Sequence, residues 1–193
     1  MTTVLLTGFE PFGTATSNPS GEIVKQISGD NIVTAILPVA YAGSAERLLE
    51  LIAEHNPDVV ICLGQAEGRT QITPEKVAIN LDDARLADNE GVLRNDVKIL
   101  EDGSDAYFTT LPINKMVEAI KAKGVPAAVS LSAGAFLCNH VFYVAQNKFV
   151  GTKVRSGFVH VPLMDSQAPE FPGMPTMPLD QMVIAVRAML EVL

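Results

Sequence analysis

Short runs rich in Val, Ile and Leu alternate with segments of helical period along most of the chain, and that alternation confines the fold to the α/β class. Residues 4–7 stop at Gly8, residues 32–37 at Pro38 and residues 58–63 at Gly64, so three buried-type strands each end on a turn former. Helices fill the gaps. Residues 20–27 follow Asn18-Pro19, and residues 43–55 set Leu48, Leu49, Ile52 and Ala53 on one face, with Glu46, Arg47 and Glu50 turned away.

The second half continues the rhythm. Residues 76–81 alternate with period two, as a strand with one wetter face does, and the acid-rich residues 82–103 read as a surface loop or lid. Pro112 opens a helix over 113–123 that closes at Gly124. Residues 127–131 read as another buried strand, leading through a turn at Ser132-Ala133-Gly134 into a helix over 138–150 with Val141, Phe142, Ala145 and Phe149 inward. A strand over 157–161, a loop over 162–178 holding five of the 12 prolines, and a helix over 179–192 with Met182, Val186 and Met189 inward complete the chain. No long Ser/Gly/Pro linker and no internal repeat divides it, so one domain spanning 1–193 is expected.

Composition removes several classes of function. With 48% hydrophobic and 19% charged residues the chain carries too much apolar side chain for intrinsic disorder. A net charge of −8 without a Lys/Arg cluster argues against a phosphate backbone as partner, so no nucleic acid is expected. The apolar runs fall far below the ~20 residues of a membrane-spanning helix. Residues 1–6 lack the basic start and long apolar stretch of a signal peptide, so no membrane partner and a cytoplasmic location are expected. The 2 cysteines, Cys62 and Cys138, cannot form a disulfide framework, and reduced thiols fit that compartment.

Cys138 stands where chemistry is easiest. A thiol in the first turn of a helix, after a strand and a tight turn, meets the positive end of the helix dipole and free N–H groups, which favour the thiolate and would hold an oxyanion. Cys62, inside an apolar strand, reads as inert. A thiol nucleophile needs a proton acceptor, and the chain has 3 histidines. His55 ends a helix and reads as a dipole cap; His140, two positions from Cys138 on the same helix, points elsewhere. His160 sits in the apolar strand Phe158-Val159-His160-Val161, where a buried imidazole needs a hydrogen-bonding partner. The acid that would orient the imidazole is open between Glu75, Asp82, Asp83 and Asp165 on sequence grounds. No GxxxxGK[ST] or GxGxxG loop follows a strand, and no CxxC or HExxH pattern supports a metal, so neither cofactor nor metal is expected.

Four ordered blocks resemble the pyroglutamyl-peptidase family of cysteine peptidases: Thr7-Gly8-Phe9-Glu10-Pro11-Phe12-Gly13 with Asn18-Pro19-Ser20; Gly64-Gln65-Ala66-Glu67-Gly68-Arg69 followed by residues 72–80; residues 132–139 around Cys138; and Gly157-Phe158-Val159-His160-Val161-Pro162. The resemblance implies a three-layer α/β/α sandwich on a twisted, mostly parallel mixed sheet, as the alternating elements also indicate. It implies hydrolysis of an N-terminal pyroglutamyl (5-oxoproline) residue from peptides, without a cofactor, by a homodimer or homotetramer. It further implies Cys138 as nucleophile, His160 as general base and acid, and Glu75 as the orienting group. Arg85 with the Cys138 N–H would form the oxyanion hole; Phe9 and Phe12 would line an apolar slot for the ring, Asn18 and Gln65 would meet the lactam, and Phe136 and Leu137 would wall it. Glu67 stands where the family has a small residue, and Leu163 follows His-Val-Pro where an aromatic is common. A binding protein that uses the same pocket without catalysis, and a thiol hydrolase for a related cyclic amide, are the competing readings. A neutral lactam lacks the charge of a free N-terminus, so an apolar slot with a few amide partners selects it through desolvation.

Overall fold

The computed structural model of the chain describes residues 2–193; Met1, part of the leader reading above, lies outside the described residues. The elements are β1 (Val4–Phe9), α1 (Pro19–Val24), β2 (Ile32–Leu37), α2 (Tyr41–His55), β3 (Val59–Gln65), β4 (Thr73–Pro74), β5 (Val77–Ile79), β6 (Ala106–Phe108), α3 (Ile113–Ala122), α4 (Leu137–Lys148), β7 (Arg155–Val161), β8 (Leu163–Met164), β9 (Thr176–Met177) and α5 (Leu179–Leu190).

The main sheet runs β2-β1-β3-β7-β4, with the first four strands parallel and β4 antiparallel to β7. Because successive strand side chains point to opposite faces, Val59, Ile61 and Leu63 enter one core with α1, α3 and α5. Val60, Cys62 and Phe158 enter the other with α2 and α4. This is the expected three-layer α/β/α arrangement. Among the described residues no helix is long and apolar enough to cross a membrane.

Three expectations change. Residues 127–131 form no regular strand; Ala127 and Ser130 make isolated bridges to Ile72 and Glu75. Ile72 N–H donates to Pro126 O and Lys76 N–H to Ser130 O, but the position between them is Pro74, which has no N–H, so the ladder is interrupted there. Val129 and Leu131 are consequently on an exposed edge. On α2 the buried positions are Leu48, Leu51 and Ile52, while Ala53 is exposed, because the helix begins at Tyr41 and its face centres on 48 and 52. Residues 82–103 are no free lid: Asp82 is fully buried, bonded to Arg94 Nη1 at 2.7 Å and facing His140 Nδ1 at 2.9 Å, which ties this loop to α4.

Candidate active site

The register of the two central strands assembles the site. Gly64 on β3 pairs with His160 on β7, and both lie on the face covered by α4. A Cβ built on Gly64 would come within 2.8 Å of Cys138 Sγ, so the absent side chain is what admits the thiol to the sheet at the level of His160. Cys138 is the second residue of α4. The first bond of that helix runs from His140 N–H to Phe136 O, so the Cys138 N–H precedes the ladder and remains available.

Behind His160 stands Glu75, delivered by the segment after β4. His160 Nδ1 lies 2.7 Å from Glu75 Oε1, which places the proton on Nδ1 and leaves Nε2 as the free lone pair. The same oxygen accepts Arg69 Nη1 at 2.8 Å, and Arg69 also meets Thr73 Oγ1 and donates to Ser132 O at 3.1 Å. Glu75 is fully buried, and its Oε2 has no partner among the described residues.

Of the acids open on sequence grounds, only Glu75 reaches His160. Asp82 is engaged by Arg94 and His140, and Asp83 and Asp165 are exposed. His140 meets the edge of the Tyr41 ring, with centroids 5.5 Å apart, and does not face the thiol. His55 lies in the last turn of α2 beside Glu54.

Burial disfavours charge at both reacting atoms. Burial pushes the Cys138 thiol up to about 12, with Glu75 adding to the rise and Arg69 opposing it. Burial likewise lowers His160 against the raising influence of Glu75. Burial and Glu75 thus oppose the thiolate that the first turn of α4 favours, and Arg69 supports it. Cys62 is also raised, to about 11, by complete burial, in keeping with an inert thiol.

An apolar slot opens beside Cys138, lined by Phe9, Phe12, Asn18, Val39, Gln65, Phe136 and Leu137. Phe12 and Phe136 meet at 6.1 Å between ring centroids, and the edge of Tyr41 braces Phe136 at 5.8 Å. The β1–α1 loop is pinned by Glu10, whose Oε1 accepts Val39 N–H and Asn89 Nδ2. Asn18 lines the slot with its amide already engaged: Oδ1 caps α1 by accepting Ser20 N–H, and Nδ2 donates to Glu10 O. Arg85 is exposed, outside the slot lining, and its side chain makes no hydrogen bond or ion pair among the described residues. The Asp83 N–H to Ala135 O bond nevertheless brings its loop to the segment before α4. Sequence reading missed Val39, Gly64 and the contact of Arg69 with Glu75; the last two stand inside a quoted block, whereas nothing local marks Val39.

A family model for pyroglutamyl peptidase matches residues 2–193. The chain belongs to the pyroglutamyl peptidase family. It is 43% identical to a pyrrolidone-carboxylate peptidase of Bacillus cereus (100% of this chain, 93% of that protein). It is 46% identical to one of Aliivibrio fischeri (99% and 94%). Its backbone superposes on the crystal structure of Bacillus amyloliquefaciens pyroglutamyl peptidase I with a TM-score of 0.94 at 43% identity, covering 98% of this chain and 95% of that one. A mutant pyrrolidone carboxyl peptidase from Pyrococcus furiosus gives 0.93 at 37% identity, covering 98% and 97%. The departures from the family pattern are accommodated: Glu67 is exposed in a turn whose positive φ falls on Gly68, and Leu163 is buried in β8.

Proposed function

We propose that this member of the pyroglutamyl peptidase family hydrolyses the bond after an N-terminal pyroglutamyl residue, with Cys138 as nucleophile. The observation that carries the residue roles is the line Glu75–His160–Gly64–Cys138, which puts an oriented imidazole and a thiol on one face of the sheet next to an apolar slot.

His160 Nε2 takes the thiol proton as Sγ attacks the pyroglutamyl carbonyl. The C=O electrons move to oxygen, and the Cys138 N–H, together with Arg85, stabilises the oxyanion. Collapse breaks the C–N bond while His160 returns its proton to the leaving amine, leaving a thioester on Cys138. Water, deprotonated by His160, then releases pyroglutamate and restores the thiol. Glu75 holds the imidazole tautomer and stabilises its cation. Phe9, Phe12, Phe136 and Leu137 take the ring; Gln65 and the second N–H of Asn18 Nδ2, the one not donated to Glu10 O, supply polar contacts. No cofactor enters any step.

Action in the cytoplasm and assembly as a homodimer or homotetramer belong to the same proposal. Two unpaired thiols support a reducing compartment, and Leu131, 73% exposed, and Phe108, 68% exposed, supply apolar surface for self-association.

Release of a fluorogenic amine from a pyroglutamyl amide, with a prolyl amide and Cys138→Ser as controls under reducing conditions, tests the activity. Turnover of the pyroglutamyl amide alone, lost in Cys138→Ser, is expected. A folded, reduced protein that releases nothing overturns the reading.

A further inference from the structure

Gln167, in the short turn after β8, is fully buried behind the slot. Its Oε1 accepts Met164 N–H at 2.9 Å, and its Nε2 donates to Ser17 O at 3.1 Å and to Gln65 Oε1 at 3.0 Å. A backbone N–H can only donate and a backbone C=O can only accept, so these two anchors set the orientation of the Gln167 amide. Its NH2 end must face Gln65, the oxygen of Gln65 must answer it, and the nitrogen of Gln65 must point away. That nitrogen is buried and has no partner among the described residues, on a side chain that lines the slot. A buried donor in this state takes its acceptor from an ordered water or from a bound molecule, and a lactam oxygen in the slot can supply it.

We propose that Gln167 is the specificity-determining positioning residue of the slot. It locks Gln65 with Nε2 as a donor, so the slot takes a five-membered ring carrying a carbonyl oxygen and rejects one that offers only CH2 or N–H there. The inference rests on the pyroglutamyl peptidase reading and extends it from the residue that meets the lactam to the residue that fixes its polarity. A prolyl ring, which has no ring carbonyl, leaves the Gln65 donor unpaired, and a site built around a hydrogen bond discriminates strongly against the analogue that lacks it.

Gln167→Glu keeps the acceptor for Met164 N–H but has no N–H for Ser17 or Gln65, so Gln65 reverses and turns its oxygen toward the slot. KM for a pyroglutamyl amide is expected to rise roughly 10- to 100-fold. Inhibition by 2-pyrrolidinone weakens by the same factor, and kcat changes far less. In a Gln65→Ala background the same Gln167→Glu change adds no further loss, which a merely structural role would not produce. Gln167→Met, which introduces no charge, is the second variant, with a smaller rise in KM and an intact thermal transition. Unchanged KM and 2-pyrrolidinone affinity in both variants, or an equal loss with and without Gln65, overturns the inference. An inactive wild-type enzyme overturns the function reading instead, and calorimetric binding of 2-pyrrolidinone to wild-type and Gln167→Glu protein still decides the role of Gln167.

Discussion

His160 and Glu75 meet through a single carboxylate oxygen: Nδ1 lies 2.7 Å from Oε1, while Oε2 is buried without a partner among the described residues. The imidazole is thereby held in one tautomer with Nε2 directed to the reaction. Glu75→Gln keeps the volume but can present an N–H to His160, reversing the tautomer. We expect kcat/KM to fall by roughly 10^3-fold or more, with the fold intact by circular dichroism.

The pH profile follows from burial. His160 works as a base only when neutral, and its pKa lies below the ordinary 6.5, so the acid limb of kcat/KM should have its midpoint below 6.5. The thiol, pushed up to about 12, sets no alkaline fall within the usual assay range. The sign for stability is the same: the unfolded imidazole takes a proton before the folded one does, so stability falls as pH drops below about 6.5. Rate and urea titrations across pH 5 to 8 check both.

Arg69 shares Glu75 Oε1 with His160 and holds the imidazole down electrostatically. Replacing it by Gln removes that cation, so the acid limb should move to higher pH. Arg69→Lys, which keeps the charge without the fork that reaches Ser132 O, should retain more of the wild-type midpoint. A pH–rate profile of both variants distinguishes the charge from the packing.

Gly64→Ala places a methyl 2.6 Å from the Phe158 ring and 2.8 Å from Cys138 Sγ. The strand is buried on both faces, so overpacking should cost about 1–3 kcal/mol. The displaced thiol should lose nearly all activity and react more slowly with iodoacetamide. Denaturant unfolding and alkylation rates measure the two effects separately.

Asp82 carries no surface exposure and bonds both Arg94 and His140. Asp82→Ala strands a buried imidazole and a partly buried guanidinium, with an expected loss of about 3 kcal/mol in urea unfolding. Residues 82–103 should then become accessible to protease before the rest of the chain, since this cluster ties them to α4.

Much of this molecule is written locally. Continuous apolar runs that stop at Gly or Pro mark β1, β2, β3 and β7, and a period of 3.6 marks the helices, because burial depends on the spacing of apolar residues along the chain. The first turn of α4 marks Cys138 for the same reason. The missed edge at 127–131 shows where local reading ends: its alternation is strand-like, but Pro74, more than fifty residues earlier, withholds the donor that would complete the ladder.

The amino-acid sequence by itself determined the layered α/β architecture, the helix that presents Cys138, and, through four motif blocks, the family. Spacing left the acid open and the motif blocks pointed to Glu75 by resemblance; only the tertiary structure decided that Glu75 lies against His160, that Gly64 makes room for the thiol, and that Gln167 faces Gln65 across 102 positions of chain. The physical reason is one of range. Secondary structure follows from backbone sterics and side-chain spacing over a few residues, whereas the pairing of a buried polar group depends on which distant partner the fold brings within about 3 Å.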